Sequence, residues 1–335
     1  MRRRSYLVVC VAALTACGID QGGIRTQPRP SSPPPARTTL VSGPITGFGS
    51  VLVNDLTLET SQAQIIVDGR AASEGDLREG QIIRAIASNT GGVLRALLIE
   101  HEESLIGPIT AIASGTGELT VLGQTISTDA STRFDAGGAL GDFGLDEVIV
   151  VSGFKRPSGA IAATFIGRAA PGQAFQITAS IVDVDVANLS FGLGALTVDY
   201  SEVVMLDVQG GVPETDAIVE VKGTQVAGDI LIADSVRGLD FQPGALDARA
   251  TELTDSEAPF AGADAATALD ANFMGFVSVV DLPGRILLDD IEVAIGGDTV
   301  FVGGTVDDLD VGLRVQVEGE IPSSGSITAR RITLF

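Results

Sequence analysis

Val315-Gln316-Val317-Glu318-Gly319, followed by Ile327-Thr328-Ala329-Arg330-Arg331-Ile332, decides how the rest of this 335-residue chain is read. In the first stretch apolar and mostly polar residues alternate with a period of two, the pattern of a strand with one buried and one wetter face. The same apolar-x-apolar-x-small signature stands at Ile83/Ala85/Ala87, Ile149/Val151/Gly153 and Val219/Val221/Gly223. The second stretch recurs as Leu94-x-Ala96-x-x-Ile99, Ile161-x-Ala163-x-x-Ile166 and Leu231-x-Ala233-x-x-Val236. An opening strand precedes each pair, as Gly43-Pro44-Ile45-Thr46, Gly107-Pro108-Ile109-Thr110, Phe175-Gln176-Ile177-Thr178 and Gly275-Phe276-Val277-Ser278. From opening Ile or Val to the first residue of the second signature the spacing is 38, 40, 42 and 38 residues, and from the middle residue of that signature to the closing Ala 11, 12, 12 and 12. Chance does not hold three anchors in register four times, so the chain reads as four tandem copies of one unit.

Within each unit a hairpin is expected between the opening strand and the second signature. It is seen as Val51-Leu52-Val53 then Leu56-Thr57-Leu58, as Leu119-Thr120-Val121 then Thr125-Ile126, and as Ile286-Leu287-Leu288 then Ile291-Glu292-Val293. Asn54-Asp55, Gly123-Gln124 and Asp289-Asp290 would make the tight turns. A polar crossover follows, such as Asp76 to Gly80 or Asp308 to Gly312. Five strands with one long connection after the third predict an all-β protein of four OB-like barrels, with a two-layer β-sandwich as the competing arrangement. The closing signature carries a physical oddity: its third apolar residue lies an odd step beyond the first two and falls on the other face. A bulge after the Ala, or a strand end buried from both sides, would resolve it, and the small Ala marks a close approach between strands. The one weak helix pattern spans Ala245 to Leu253.

The N-terminal end reads as an export signal. Arg2, Arg3 and Arg4 precede an apolar run from Tyr6 to Leu14, too short to span a bilayer, and Leu14-Thr15-Ala16-Cys17 resembles a lipobox. The expectation is therefore a signal peptide over 1–16, lipidation at Cys17, and export to the outer membrane of a Gram-negative bacterium, facing the periplasm or the medium. Gly18 stands where an aspartate would favour inner-membrane retention. Cys10 is discarded with the signal, so no disulfide is expected in the mature body. Residues 17–42 carry Pro28, Pro30 and Pro33-Pro34-Pro35 and read as a tether, reaching roughly 75 Å if fully extended at about 3.1 Å per residue. The units are then placed at 43–105, 106–171, 172–240 and 275–335, with an Ala- and Asp-rich insert at 241–274. That insert holds Pro243, Pro259, Phe260 and Phe273, is repeated nowhere else, and is expected to contribute to a partner-binding surface.

The order of G-x-I-T strand, hairpin, V-x-V-x-G strand and closing G-x-I-x-A-x-x-I strand, behind a lipoprotein-like signal, resembles the bacterial domain of unknown function 5666. The resemblance covers nearly all of residues 43–335. It implies an exported tandem β-domain protein and transfers no catalytic residue. The third copy departs from the pattern, lacking the opening Gly and holding Asp229 where the closing Gly is expected.

The residues offer little chemistry. His101 is the sole histidine, and its counterparts in the other copies are Arg168, Gly238 and Leu334, so it reads as an exposed strand-end residue that the fold does not require. No G-x-S-x-G elbow, P-loop, dinucleotide fingerprint or H-E-x-x-H run is present. Carboxylate pairs such as Asp183/Asp185 or Glu102/Glu103 leave a polysaccharide hydrolase as the alternative from another class. No cofactor is expected; calcium, and with it a calcium-dependent adhesion module, stays open at Asp307, Asp308 and Asp310, although neither an EF-hand nor a nonapeptide repeat is matched. A net charge of −22, two Tyr and no Trp argue against nucleic acid, which OB-like barrels grip with aromatics in a basic groove. The leading expectation is a non-enzymatic, lipid-anchored array that binds an envelope protein or polysaccharide, or serves as a spacer.

Overall fold

In the computed structural model of the chain, the described residues are 37–203, 205–206, 208, 211–239, 269–281, 284–288, 291–322 and 326–335. Strands dominate them, and no helix among them is long and apolar enough to cross a membrane. Copy 1 contains β1 (Arg37–Gly47), β2 (Val51–Val53), β3 (Leu56–Glu59), β4 (Gln64–Val67), β5 (Arg70–Ala72), β6 (Ile82–Thr90) and β7 (Val93–His101). Copy 2 contains β8 (Leu105–Ala113), β9 (Glu118–Val121), β10 (Gln124–Ser127), β11 (Arg133–Phe134), β12 (Val148–Lys155) and β13 (Ile161–Arg168). Copy 3 contains β14 (Phe175–Ser180), β15 (Val182–Asp185), β16 (Ser190–Leu193), β17 (Leu196–Asp199), β18 (Met205–Leu206), β19 (Ile218–Ala227) and β20 (Ile230–Gly238). Copy 4 contains β21 (Leu269–Asp281), β22 (Arg285–Leu288), β23 (Ile291–Val302), β24 (Arg314–Ile321) and β25 (Ile327–Leu334).

The pairing settles barrel against sandwich. In copy 2 the opening strand β8 pairs antiparallel with β9 and β12, β9 with β10, and β12 with β13, while β10 and β13 run parallel and close the ring. Copy 4 closes in the same way through β21–β22–β23, the parallel β23–β25 pair and β24. Copies 1 and 3 repeat the circuit through the parallel pairs β3–β7 and β17–β20. This is the five-stranded OB topology, a ring closed on itself, beside which the short strands β5, β11 and β18 pair on one side only.

The oddity in the closing strand resolves as a bulge in all four copies. Ala87 faces Ala96, Gly153 faces Ala163, Gly223 faces Ala233 and Gly319 faces Ala329, and one residue on, the partner strand has advanced by two. The extra residue sits just after the closing Ala and returns Ile99, Ile166, Val236 and Ile332 to the barrel interior, where each is fully buried. The small residue opposite is also explained. A Cβ on Gly153 would come within 2.5 Å of the Ala162 carbonyl oxygen, and Gly223 and Gly319 meet the carbonyls of Ile232 and Thr328 more closely still.

The third copy is shifted from its expected register. The N–H groups of Ile45, Ile109 and Val277 donate to the carbonyls of Gln81, Glu147 and Leu313, and in copy 3 that bond is made by Ile181 to Ala217. The return bond, from Gly80, Asp146 and Gly312 to the same opening residues, is made there by Asp216 to Ile181. The counterpart of the opening strand is therefore Ala179-Ser180-Ile181-Val182, four residues later than Phe175-Gln176-Ile177-Thr178, and the spacing to Val219 becomes 38, matching copies 1 and 4. The four donors share a positive φ, at 90°, 65°, 69° and 89°, the left-handed region open to Gly and tolerated by Asp.

Three smaller expectations also move. The copy 2 turn is Leu122-Gly123, both at positive φ, so Gln124 is the first residue of β10 and is buried. Gly107 lies beneath that turn, where a Cβ would meet Leu122 at 2.5 Å, which gives the opening Gly its reason. β1 begins at Arg37 and β21 at Leu269, so the last six residues of both the expected tether and the expected insert are strand. Those extensions pair in parallel, Thr39 with Asp270 through Ser42 with Phe273, and join copies 1 and 4. Copies 2 and 3 join through β8 and β14 and share one hydrophobic core. The helix pattern at Ala245–Leu253 and the Asp289-Asp290 turn lie outside the described residues.

Candidate functional site

The four barrels meet around one half-open cavity of about 260 Å³. Ile82 of copy 1, Phe154 of copy 2, Ile177 of copy 3, and Phe273 and Met274 of copy 4 give it mainly apolar walls. Contacts beyond the two strand junctions hold these walls. Phe154 and Phe276 meet edge to face with centroids 6.3 Å apart, and the Arg156 guanidinium lies 4.9 Å over the Phe276 ring. Glu102, between copies 1 and 2, pairs with Arg84 at 3.3 Å and with Arg237 of copy 3 at 2.9 Å. Glu220 pairs with Arg237 at 3.2 Å and Lys222 at 3.3 Å.

His101 is not exposed: its side chain is wholly buried at the end of β7, behind the cavity wall. Its Nδ1 lies 2.8 Å from the Ile82 carbonyl oxygen, which can only accept, so Nδ1 carries a proton. Its Nε2 lies 3.1 Å from Glu103 Oε1, at an ion-pair approach rather than a straight hydrogen bond. Glu103 is itself 4% exposed, receives a bond from Gln81 Nε2 at 3.0 Å, and leaves Oε2 without a partner. Burial alone would push the imidazole pKa down, but the charge and proximity of Glu103, with the Ile82 carbonyl, outweigh it and hold His101 above its ordinary value. Burial likewise pushes the Asp68 carboxyl up, against the pull of the Glu103 N–H.

Glu102 and Glu103 are engaged in the separate ion pairs above, while Asp183 is exposed and Asp185 accepts from Ala187 and Asn188 to fold its own turn. The Asp308 carboxylate accepts from the N–H and hydroxyl of Thr305, both at 2.8 Å, and so caps a single 3-10 turn. Asp76 does the same for Ser73, and Asp142 for the N–H of Ala139. In each case the next residue, Leu77, Phe143 or Leu309, is buried. The acid at 308 thus belongs to the repeated crossover. Asp307 is exposed, Asp310 accepts from the N–H of Val311, and among the described residues no three His, Cys, Asp or Glu are grouped to hold a metal. Cys17 lies outside the described residues.

Gln81, Asp68 and Ser152 were missed in the sequence, and Glu103 was read there only as one half of a hydrolytic pair. One signal could have found them: His101-Glu102-Glu103-Ser104 is a polar run where the repeat leaves the position unconstrained, just before an apolar strand that starts the next copy.

One solved structure, drosophila Unr CSD456, is similar at 10% sequence identity over 69% of this chain and 96% of its own, but with a TM-score of 0.17 that likeness carries no argument. No curated protein matches the chain. Residues 106–167 and 274–333, which span the barrels of copies 2 and 4, match the model of the domain of unknown function DUF5666. With the same barrel and the same bulge in copies 2 and 4 as in the other two, the chain is similar to DUF5666 proteins over those two segments and repeats their unit.

Proposed function

We propose that this protein is a non-enzymatic binding module of the bacterial cell envelope, lipidated at Cys17, held off the outer membrane by its proline-rich segment, and built to receive an apolar group of an envelope protein or polysaccharide. The observation that carries the reading is the central cavity, the one feature described here that takes residues from all four copies. Its apolar walls suit a side chain or an acyl substituent, and such burial contributes about 25 cal/mol per Å² of apolar surface removed from water. The engagement of Glu102 and Glu103 in structural bonds favours binding over hydrolysis. The insert, whose residues 241–268 lie outside the described ones, is flanked by Leu239 on one side and ends in Phe273 and Met274 on the other, all of which line this cavity, and this supports a share in the same surface.

The test uses Met274, which lines the cavity, against Met205, which packs on the shared core of copies 2 and 3. In methyl-labelled protein, an envelope protein or polysaccharide fraction should shift the Met274 methyl resonance and leave that of Met205 in place. An unmoved Met274 with both fractions refutes the cavity as the binding site.

A further inference from the structure

His101 and Glu103 lie where three copies are bolted together. Ile82, whose carbonyl receives His101 Nδ1–H, donates its own N–H to Ser152 Oγ of copy 2 at 2.9 Å. Glu103 donates its N–H to Asp68 Oδ1 at 3.1 Å, and its carbonyl accepts from Gln176 Nε2 of copy 3 at 2.9 Å. The next residue, Ser104, donates its N–H to the Val151 carbonyl and its hydroxyl to the Gly153 carbonyl. The imidazole therefore bridges one residue that holds copy 2 and another that holds copy 3. No other copy has such a bridge, since Arg168, Gly238 and Leu334 stand at its position.

We propose that the His101–Glu103 ion pair is a proton-operated latch, fixing copy 1 on copies 2 and 3 when the imidazole is protonated and releasing that junction when it is not. With Nδ1–H committed to Ile82, loss of the other proton turns the Nε2 lone pair toward Glu103 Oε1, and attraction becomes repulsion. The carboxylate then keeps only Gln81 as a side-chain donor, with Oε2 already unpartnered in a dry site. Asp68 cannot substitute for the lost cation, because it is a second acid facing the same group. Besides His101, Lys222 of copy 3 is a positive charge acting on Asp68, and it is paired to Glu220, while Arg84 is paired to Glu102. Ile82, Glu103, Ser104 and Gly153 all line the cavity, so opening the latch deforms its wall. That last consequence rests on the binding reading; the latch itself does not.

Because the chain has one histidine, its ring resonance reports the latch without ambiguity. In the full chain, a proton–carbon NMR titration should show a single His101 transition above the ordinary imidazole value of 6.5. Across that transition, exchange protection of the Ile82 and Ser104 amides, corrected for intrinsic pH dependence, should fall at least tenfold, while that of Ile332 in β25 holds. His101→Gln should abolish the step. A transition at or below 6.5, a transition that leaves Ile82 and Ser104 protected, or the same step in His101→Gln overturns the proposal. If the variant does not fold, the wild-type titration and exchange decide alone. Loosening at the junction with Met274 silent to envelope fractions at every pH would retain the latch and remove the binding reading.

Discussion

Adding one methyl group at Gly153 should weaken copy 2 measurably, because the space it needs is occupied by backbone. Its Cβ would lie 2.5 Å from the Ala162 carbonyl oxygen and 2.7 Å from Ile161 Cγ2, against about 3.4 Å where ordinary contact begins. A flexible side chain could rotate away, but a carbonyl in a strand moves only if β13 moves, by something approaching 0.9 Å. Overpacking of this kind costs about 1–3 kcal/mol. Copy 1 places Gly153→Ala toward the lower end: Ala87 stands at the same bulge, opposite Ala96, with no exposure, so the bulge can widen enough for one methyl group. Gly153→Leu belongs at the upper end or beyond. In thermal unfolding, roughly 2–4 °C of midpoint should be lost per kcal/mol in a body of this size. Gly319→Ala, in the other sheet, should behave alike, and the pair should add to within about 0.5 kcal/mol. The reverse change, Ala87→Gly, removes no clash and should cost about 0.5–1 kcal/mol of backbone entropy. Denaturant midpoints for Gly153→Ala and Gly319→Ala within about 0.5 kcal/mol of wild type would refute the steric account of the repeated small residue.

Four further outcomes follow from named contacts. Asn272→Ala removes the Oδ1 that accepts from Asn54 Nδ2 and Gln316 Nε2 at the copy 1 and copy 4 junction, and leaving buried donors short should cost about 1–3 kcal/mol in urea unfolding. His101, raised above 6.5 when folded, contributes stability that is complete below about 6.5 and lost as pH rises through its folded value. The melting midpoint should therefore decline on the alkaline side in wild type, and that decline should be absent in His101→Gln. Cys17→Ala should leave the precursor uncleaved or release the protein from the membrane fraction; a water-soluble, unacylated wild-type protein with another N-terminus would contradict lipidation. Deleting residues 243–266 and closing the gap with a short Gly/Ser linker should preserve the β circular dichroism and the melting midpoint while lowering binding of the envelope fraction. The deletion stops short of Leu269 because β21 begins there.

The barrel was legible in the sequence because its determinants are local and repeated. Alternation at Val315 to Gly319, a tight turn at Asn54-Asp55 and the odd step after Ala329 each announce a strand, a hairpin or a bulge within a few residues, and four copies average out the exceptions. Copy 3 misled through chance: Gln176-Ile177-Thr178 imitates the Ile-Thr of the opening strand, while the true counterpart, Ala179-Ser180-Ile181-Val182, retains none of Gly, Pro and Thr. What joins the barrels was not legible, for a different reason. Thr39 finds Asp270 and Glu102 finds Arg237 across spans that no periodicity encodes. The burial of His101 is of this kind, since its neighbours Ser152 and Gln176 come from other copies. A residue that departs from the repeat at a strand end is the place to look for such contacts.

The parallel pairing of Arg37–Ser42 with the start of β21 has a consequence for biogenesis. Synthesis from the N-terminus delivers copy 1 first and the strand that completes its outer flank last, after copies 2 and 3 have emerged. Copies 2 and 3 can associate as soon as β20 is through, because everything in their common core lies between residues 105 and 236. Copy 1 must wait, with Leu40, Ile86, Leu97 and Leu98, which are buried in the core formed with copy 4, turned toward water. The interval before the last barrel arrives is when this protein is most open to aggregation and to chaperones, and slowed emergence of the chain should harm it more than a chain whose neighbours in sequence are also its neighbours in space.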